Sequence, residues 1–132
     1  MNEIRYERNP SLSNNVLNDL FEAAWNSHTR RDFQPVLQHS LVYVGAFQGA
    51  RLVGFVNVAW DGGVHGFILD TTVHPEFQRQ GIGLGLMSEA AAIAKQHDLE
   101  WLHVDFEPRL EPFYRAAGYR STAAGLLCVG EG

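Results

Sequence analysis

One cysteine, Cys128, stands in 132 residues, and its solitude excludes a disulfide within the chain, a CxxC redox pair and a cysteine-built zinc cluster. A chain without disulfides fits a reducing, cytosolic setting. Basic residues are also scarce: ten Lys and Arg against fifteen Asp and Glu leave a net charge of −5. With no basic surplus to displace counterions, nucleic acid is not an expected partner. No apolar run approaches the roughly 18 residues that span a bilayer, and the opening MNEIRYERNPS has no apolar stretch of the kind that directs export. Neither export nor a membrane partner is expected. The histidines at 28, 39, 65, 74, 97 and 103 show no HxxxH or HExxH spacing, so no metal site is predicted. What remains is an ordinary globular composition, 45% hydrophobic and 19% charged. A chain of this length buries roughly two thirds of its unfolded surface. With no linker, repeat or low-complexity tract, residues 1–132 are read as a single domain.

Periodicity divides that domain. Between Ser11 and Trp25, Leu12, Val16, Leu17, Leu20, Phe21 and Ala24 recur at the spacing of an amphipathic helix. Asn26 to Ser40 mixes charge with Phe33, Val36 and Leu37 and predicts a loop leading into a short helix. Leu41 to Phe47 and Arg51 to Trp60 are β-branched and aromatic runs either side of Gln48-Gly49-Ala50, the pattern of a hairpin. Asp61-Gly62-Gly63 is a second turn, and Val64 to Val73 a third antiparallel strand. The period then changes. Ile82, Leu86, Met87, Ala90, Ile93, Ala94 and His97 mark one face of a helix about four turns long. Glu100 to Phe106 follows as a strand that a helical crossover makes parallel to an earlier one. A short helix from near Glu111 closes at Gly118, and Tyr119 to Val129 is expected to add one or two last strands, with Cys128 a packed core thiol.

The segment Val73 to Leu86, VHPEFQRQGIGLGL, joins a strand to the long helix and puts Gly81, Gly83 and Gly85 at the helix start. Glycine there costs up to about 1 kcal/mol relative to alanine, so something requires bare backbone. Two readings compete: tight packing of the helix on the sheet, or close approach of a ligand. The first helical amides lack intrahelical acceptors and, with the helix dipole, suit phosphate oxygens. A pyrophosphate-bearing cofactor would satisfy them. Neither a GxGxxG fingerprint nor a Gly-Lys-Ser/Thr loop is present.

Val-x-Pro-x-x-Gln-x-x-Gly-x-Gly over residues 73 to 83, followed some thirty residues later by Phe113-Tyr114-Arg115-Ala116-Ala117-Gly118-Tyr119, resembles the GNAT superfamily of acetyl-coenzyme A-dependent N-acetyltransferases. The resemblance covers residues 41 to 120 well. It implies a layered α/β fold: a mixed, mostly antiparallel central sheet with a splayed parallel strand pair and flanking helices. It implies acetyl-coenzyme A as cofactor, with Arg79, Gln80, Gly81, Ile82, Gly83 and Leu84 holding the pyrophosphate largely by backbone amides and Gln78 at a position where the family has Gln or Arg. Thr71, Thr72 and Val73 would bond the pantetheine arm by main-chain groups, as to an added strand. The acceptor would be an amine of a small molecule or peptide, and small members of the family often pair as homodimers.

Such a reaction poses two proton problems. An amine attacks only when neutral, and for a lysine-like amine deprotonation at pH 7 costs about 4.6 kcal/mol. Asp70 is the first candidate base, followed by Asp105 and His65. Each has a structural alternative: Asp70 bonding nearby amides, Asp105 capping a turn, His65 solvated. Glu107 stands where the family commonly has Asn; a carboxylate there is repelled by phosphates unless it faces the amine as an alternative base or anchor. On the leaving side, the resemblance makes Tyr114 the acid or hydrogen-bond donor to the thiolate, the bland alternative being an aromatic packed beside Phe113. Arg109 and Arg115 are candidates for a ribose phosphate. Trp25, Asn26, His28, Arg30, Arg31, Phe33, Trp60 and Asp61 are the implied acceptor readers. Two rival functions stay open: an acyl-coenzyme A sensor without turnover, and a dimeric interaction module in which the glycine turn is only packing.

Overall fold

The computed structural model describes residues 3–130. A five-stranded sheet runs in sequence order: β1 (Arg5–Arg8), β2 (Val42–Gln48), β3 (Arg51–Trp60), β4 (His65–Val73) and β5 (Trp101–His103). β1 to β4 pair antiparallel and β5 joins β4 in parallel. Helices α1 (Asn14–Ala24) and α2 (Gln34–Gln38) precede β2, α3 (Ile82–Gln96) links β4 to β5, and α4 (Glu111–Ala116) follows β5. This is the mixed, mostly antiparallel architecture that the periodicities and the resemblance predict.

Each face of the sheet has its own core. In β3, Val53, Val56 and Val58 pack with Leu86, Met87, Ala90 and Ile93 of α3, whereas Leu52 and Phe55 turn to Leu17, Leu20 and Phe21 of α1 and to Leu37 of α2. Strand alternation produces the division, interrupted once where β2 and β3 slip between Ala46 and Phe47 and leave Val53 as the extra residue. α1 begins at Asn14 rather than Ser11 because the Ser13 hydroxyl accepts from Val16 N at 3.1 Å, leaving Leu12 outside the helix.

Three expectations are corrected. β1 was not predicted: its sequence, RYER, is too short and too charged to show alternation, and it forms because the outer edge of β2 would otherwise be open. β5 ends at His103 instead of Phe106. Tyr119 to Val129 contributes no strand; residues 119–129 have no regular secondary structure, and Cys128 is exposed rather than packed. Tyr119 packs against the core and Ser121 Oγ donates to Glu111 Oε2, but residues 122–129 are exposed.

Two departures from regular pairing shape the middle of the sheet. β4 and β5 are registered only over His65–Phe67 and Trp101–His103, after which β4 continues to Val73 without β5. Opposite, β3 and β4 slip: Phe55 faces Thr72 but Asn57 faces Leu69, so Val56 stands against both Asp70 and Thr71. That is a β-bulge, and Asp70 absorbs it at φ 59°, a left-handed conformation Asp tolerates better than most side chains.

Candidate active site

The unpaired end of β4 and the start of α3 border a cleft of about 640 Å³. Thr71, Thr72 and Val73 form one wall, Gly81 to Leu84 a second, and Arg109, Leu110, Phe113 and Tyr114 a third. Trp25 closes it from α1, its indole donating to Thr72 Oγ1 at 3.1 Å. Thr72 Oγ1 in turn donates to the carbonyl of Asp70 at 2.9 Å, tying α1 to the bulge.

The three glycines have three different reasons. Gly81 caps α3 at φ 81° with open space where a Cβ would stand. A Cβ on Gly83 would lie 2.9 Å from the Phe113 ring, and one on Gly85 would collide with the Tyr6 hydroxyl. Only Gly81 leaves its surroundings free; Gly83 and Gly85 are demanded by packing. The packing reading holds at Gly83 and Gly85, and Gly81 leaves room for the other. Arg79, at φ 65°, and Gly81, at φ 81°, stand as two left-handed residues either side of Gln80. Gly85 N–H is the first to bond back along α3, to Gly81 O at 2.9 Å, and no side chain caps the turn before it. The amides of Ile82, Gly83 and Leu84 face the end of the cleft without an intrahelical acceptor. Gln78 lies at the rim, its amide donating to Val73 O at 3.5 Å. Gln80 does not line the cleft.

Tyr114 is 6% exposed, stacked on Phe106 at 4.6 Å and edge-on to Phe113 at 4.9 Å. Burial raises its pKa, the Thr71 hydroxyl pulls it back, and the Asp105 carboxylate adds to the rise. The Thr71 hydroxyl lies close enough for that influence yet makes no well-formed hydrogen bond and is itself buried. A buried hydroxyl lacking a partner costs free energy unless something else reaches it. Next to Tyr114, Tyr119 has a phenol pushed up to about 12 by burial, also without a partner.

The acceptor side divides the predicted readers. Asp70 does not line the cleft; its pKa is raised by burial and lowered again by the Arg31 guanidinium. Arg31 comes there because Asn18, buried in α1, grips the loop: Asn18 Nδ2 donates to Arg31 O at 2.8 Å and Asn18 Oδ1 accepts from Arg31 N and from His28 Nε2, each at 2.9 Å. Asn18 was missed, although a polar residue inside the apolar stripe between Leu17 and Leu20 is a visible signal. Arg30 is held outside by Asp19 and Glu22, and Phe33, 1% exposed, is core. Trp60 and Asp61 stand at the far end of β3, Trp60 against His97 and Asp61 bonded to Gly63 N. His65 is bound to His103, Nδ1 to Nε2 at 2.7 Å, on the paired stretch of β4 and β5. Glu107 is neutralised by Arg109 at 2.9 Å, so its charge does not meet the cleft unpaired, and Arg115 is engaged by Glu111 at 3.1 Å.

Residues 12–119 match the acetyltransferase (GNAT) family. The chain belongs to that family. An uncharacterized N-acetyltransferase, ycf52, of Porphyra purpurea is 28% identical over 106 residues, 77% of this chain and 61% of the relative, so the chain spans less than two thirds of that protein's length. Among solved structures, a GNAT family acetyltransferase of Streptococcus pneumoniae superposes with a TM-score of 0.84 at 26% identity, covering 98% of this chain and all, 100%, of that one. The aminoglycoside acetyltransferase AAC(6')-Iy, solved with the bisubstrate analog CoA-S-monomethyl-acetylneamine, shares the fold at a TM-score of 0.77 and 15% identity, over 98% of this chain and 99% of its own. Among the described residues no helix is long and apolar enough to cross a membrane.

Proposed function

We propose that this GNAT-family chain transfers an acetyl group from acetyl-coenzyme A to the amine of a small molecule or peptide, by direct attack and in a cytoplasmic setting. The carrying observation is the cleft itself: uncapped α3 amides at one end, and at the other a buried, partnerless Thr71 hydroxyl beside a neutral Tyr114. That donor set fits a long ligand with an anionic head and a polar tail, and the same fold in AAC(6')-Iy holds a coenzyme A conjugate of an amine. Acetyl-coenzyme A supplies an activated acyl group on a thiol that leaves.

In this reading the amides of Arg79 to Leu84 receive the pyrophosphate, and Arg109 borders the same cleft. The free edge of β4 at Thr71 to Val73 bonds an extended arm through main-chain groups. Tyr114 keeps its proton, because burial raises its pKa well above a thiol's usual value near 8.5. Its part is therefore to donate a hydrogen bond to developing negative charge on sulfur, a role that does not require full proton transfer. Asp70, next in the chain to Thr71 of the cleft wall, takes the ammonium proton through an intervening water; its raised pKa makes it a stronger base than an exposed carboxylate.

Calorimetric titration with acetyl-coenzyme A, then thiol release across polyamines, aminoglycosides, amino acids and peptides, tests the reading. Ligand at 100 times its dissociation constant is expected to add about 2.7 kcal/mol of stability. Absence of any thermal shift would mean an interaction module, and binding without thiol release for any amine, in wild type and Tyr114→Phe alike, a sensor.

A further inference from the structure

The loop between α1 and α2 is fixed by a side chain of a kind that cores rarely hold. Asn18, 3% exposed within the apolar stripe of α1, satisfies its whole amide. Nδ2 donates to the carbonyls of Asn14 and Arg31, each at 2.8 Å, and Oδ1 accepts from Arg31 N–H and from His28 Nε2, each at 2.9 Å. Residue 31 is thus held at both its N–H and its C=O. A buried amide is a costly clamp unless every bond is met, and the residue it grips on both sides is an exposed one. Its neighbours in the chain are already engaged: Arg30 by Asp19 and Glu22, Asp32 by Asn14 and by Gln34 N–H. Among the described residues the Arg31 guanidinium makes neither a hydrogen bond nor an ion pair; it rests over the ring of the core residue Phe33 at 4.7 Å.

The charge it influences is that of Asp70, half-buried at the bulge and next in the chain to Thr71 of the cleft wall. Burial raises the Asp70 carboxyl and the Arg31 guanidinium draws it down again, yet the two are not in ion-pair contact. The Trp25 indole, bonded to Thr72, borders the cleft from the same helix that clamps Arg31. The acceptor side therefore carries a carboxylate and a guanidinium that act on each other without touching, which is the complement of a zwitterion. A plain amine would engage only Asp70 and leave the donors of Arg31 in water. A carboxylate on the same molecule would take those donors bidentately, in the fork geometry that a point charge lacks. Given an acyl-transfer site in the cleft, we infer that the acceptor is an amino acid, its ammonium directed to Asp70 and its carboxylate held by Arg31. Arg31 then sets specificity, and Asn18 positions it. A polyamine or aminoglycoside, with several ammonium groups and no carboxylate, is repelled by the same guanidinium.

Calorimetric titration of acceptors into the full chain, alone and saturated with coenzyme A, reads this recognition without turnover. Leucine, leucinamide and isopentylamine keep one side chain while the carboxylate is present, amidated or absent; the same trio is made for other amino acids. In wild type the amino acid of a trio is expected to bind at least about tenfold tighter than its amide or its decarboxylated amine. Arg31→Gln should erase that preference, and Arg31→Lys, which keeps the charge without the fork, should restore part of it. Coenzyme A should bind all three proteins equally, because Arg31 does not line the cleft walls. Amides and amines that bind as tightly as their amino acids overturn the inference. So does a preference that survives Arg31→Gln, or a chain that binds coenzyme A but no amino acid. Failure of the acyl-transfer assignment looks different: coenzyme A would not bind, while a carboxylate preference that depends on Arg31 would still mark an amino-acid site.

Discussion

The two faces of the sheet differ in how completely they are covered. On the α3 face, Val42, Val44, Ala46, Val53, Val56, Val58 and Ile68 from three strands meet a continuous apolar side of the helix, and all are buried. On the other, α1 and α2 seal β2 and β3 through Leu17, Phe21, Phe33 and Leu37 and reach only the Thr72 end of β4, leaving Phe67, Leu69 and Trp101 to meet water. Stability is concentrated where a helix spans the strands; access to the bulge at Asp70 and Thr71 exists because the opposite side is only half roofed. The cleft lies where the two regimes join, at the end of β4 and the head of α3.

Substitutions can break that contrast. Leu86→Ala, at 0% exposure in the α3 face, is expected to cost about 3 kcal/mol, and Leu69→Ala on the open face less than about 0.5, measured by urea unfolding. Comparable losses would mean that the open face is covered in solution. Tyr114→Phe should lower turnover by about a hundredfold with a melting temperature near wild type, since the ring keeps its packing on Phe106 and Phe113. Equal activity would remove Tyr114 from the chemistry.

Gly83→Ala tests the junction itself. The new methyl meets the Phe113 ring at 2.9 Å, so the ring must give way and carry Tyr114 with it. A loss of about 1–2 kcal/mol is expected, together with weaker coenzyme A binding in calorimetry; unchanged unfolding with unchanged affinity would show that the contact is slack. The smallest effect concerns Asp70. Its folded pKa is raised by burial, so the stability linked to its protonated form is fully present below the unfolded value near 3.9 and is lost as pH rises through the folded pKa. Asp70→Asn should therefore melt slightly higher than wild type at pH 7, with the gain fading as pH falls toward about 4, while turnover drops. A gain that persists in acid would point to relief of backbone strain instead.

Much of this arrangement was legible in the sequence. The long apolar period of α3, the Val-rich strands and their glycine turns are local signals that tertiary packing reinforces, and the VHPEFQRQGIG segment names its own position between β4 and α3. What escaped was set by distant partners. β1 is a strand only because β2 has an edge to fill. Gly83 and Gly85 look like one glycine-rich motif with Gly81, but Phe113 and Tyr6, far away in the chain, decide two of the three. Asp70 in a left-handed conformation follows from the slip against Val56, which no periodicity in Val64 to Val73 reveals. The apolar pattern of Tyr119 to Val129 suggested strands, and nothing in the described chain pairs with it.

The indole of Trp25 has an optical use. Of the three tryptophans, Trp25 alone borders the cleft, bonded to Thr72 beside the bulge, while Trp60 leans on His97 and Trp101 sits under Arg120. In a chain carrying Trp60→Phe and Trp101→Phe, emission would come from one fluorophore at the mouth of the pocket. Its quenching or spectral displacement would then follow occupancy in real time, with no dye, radiolabel or coupled assay.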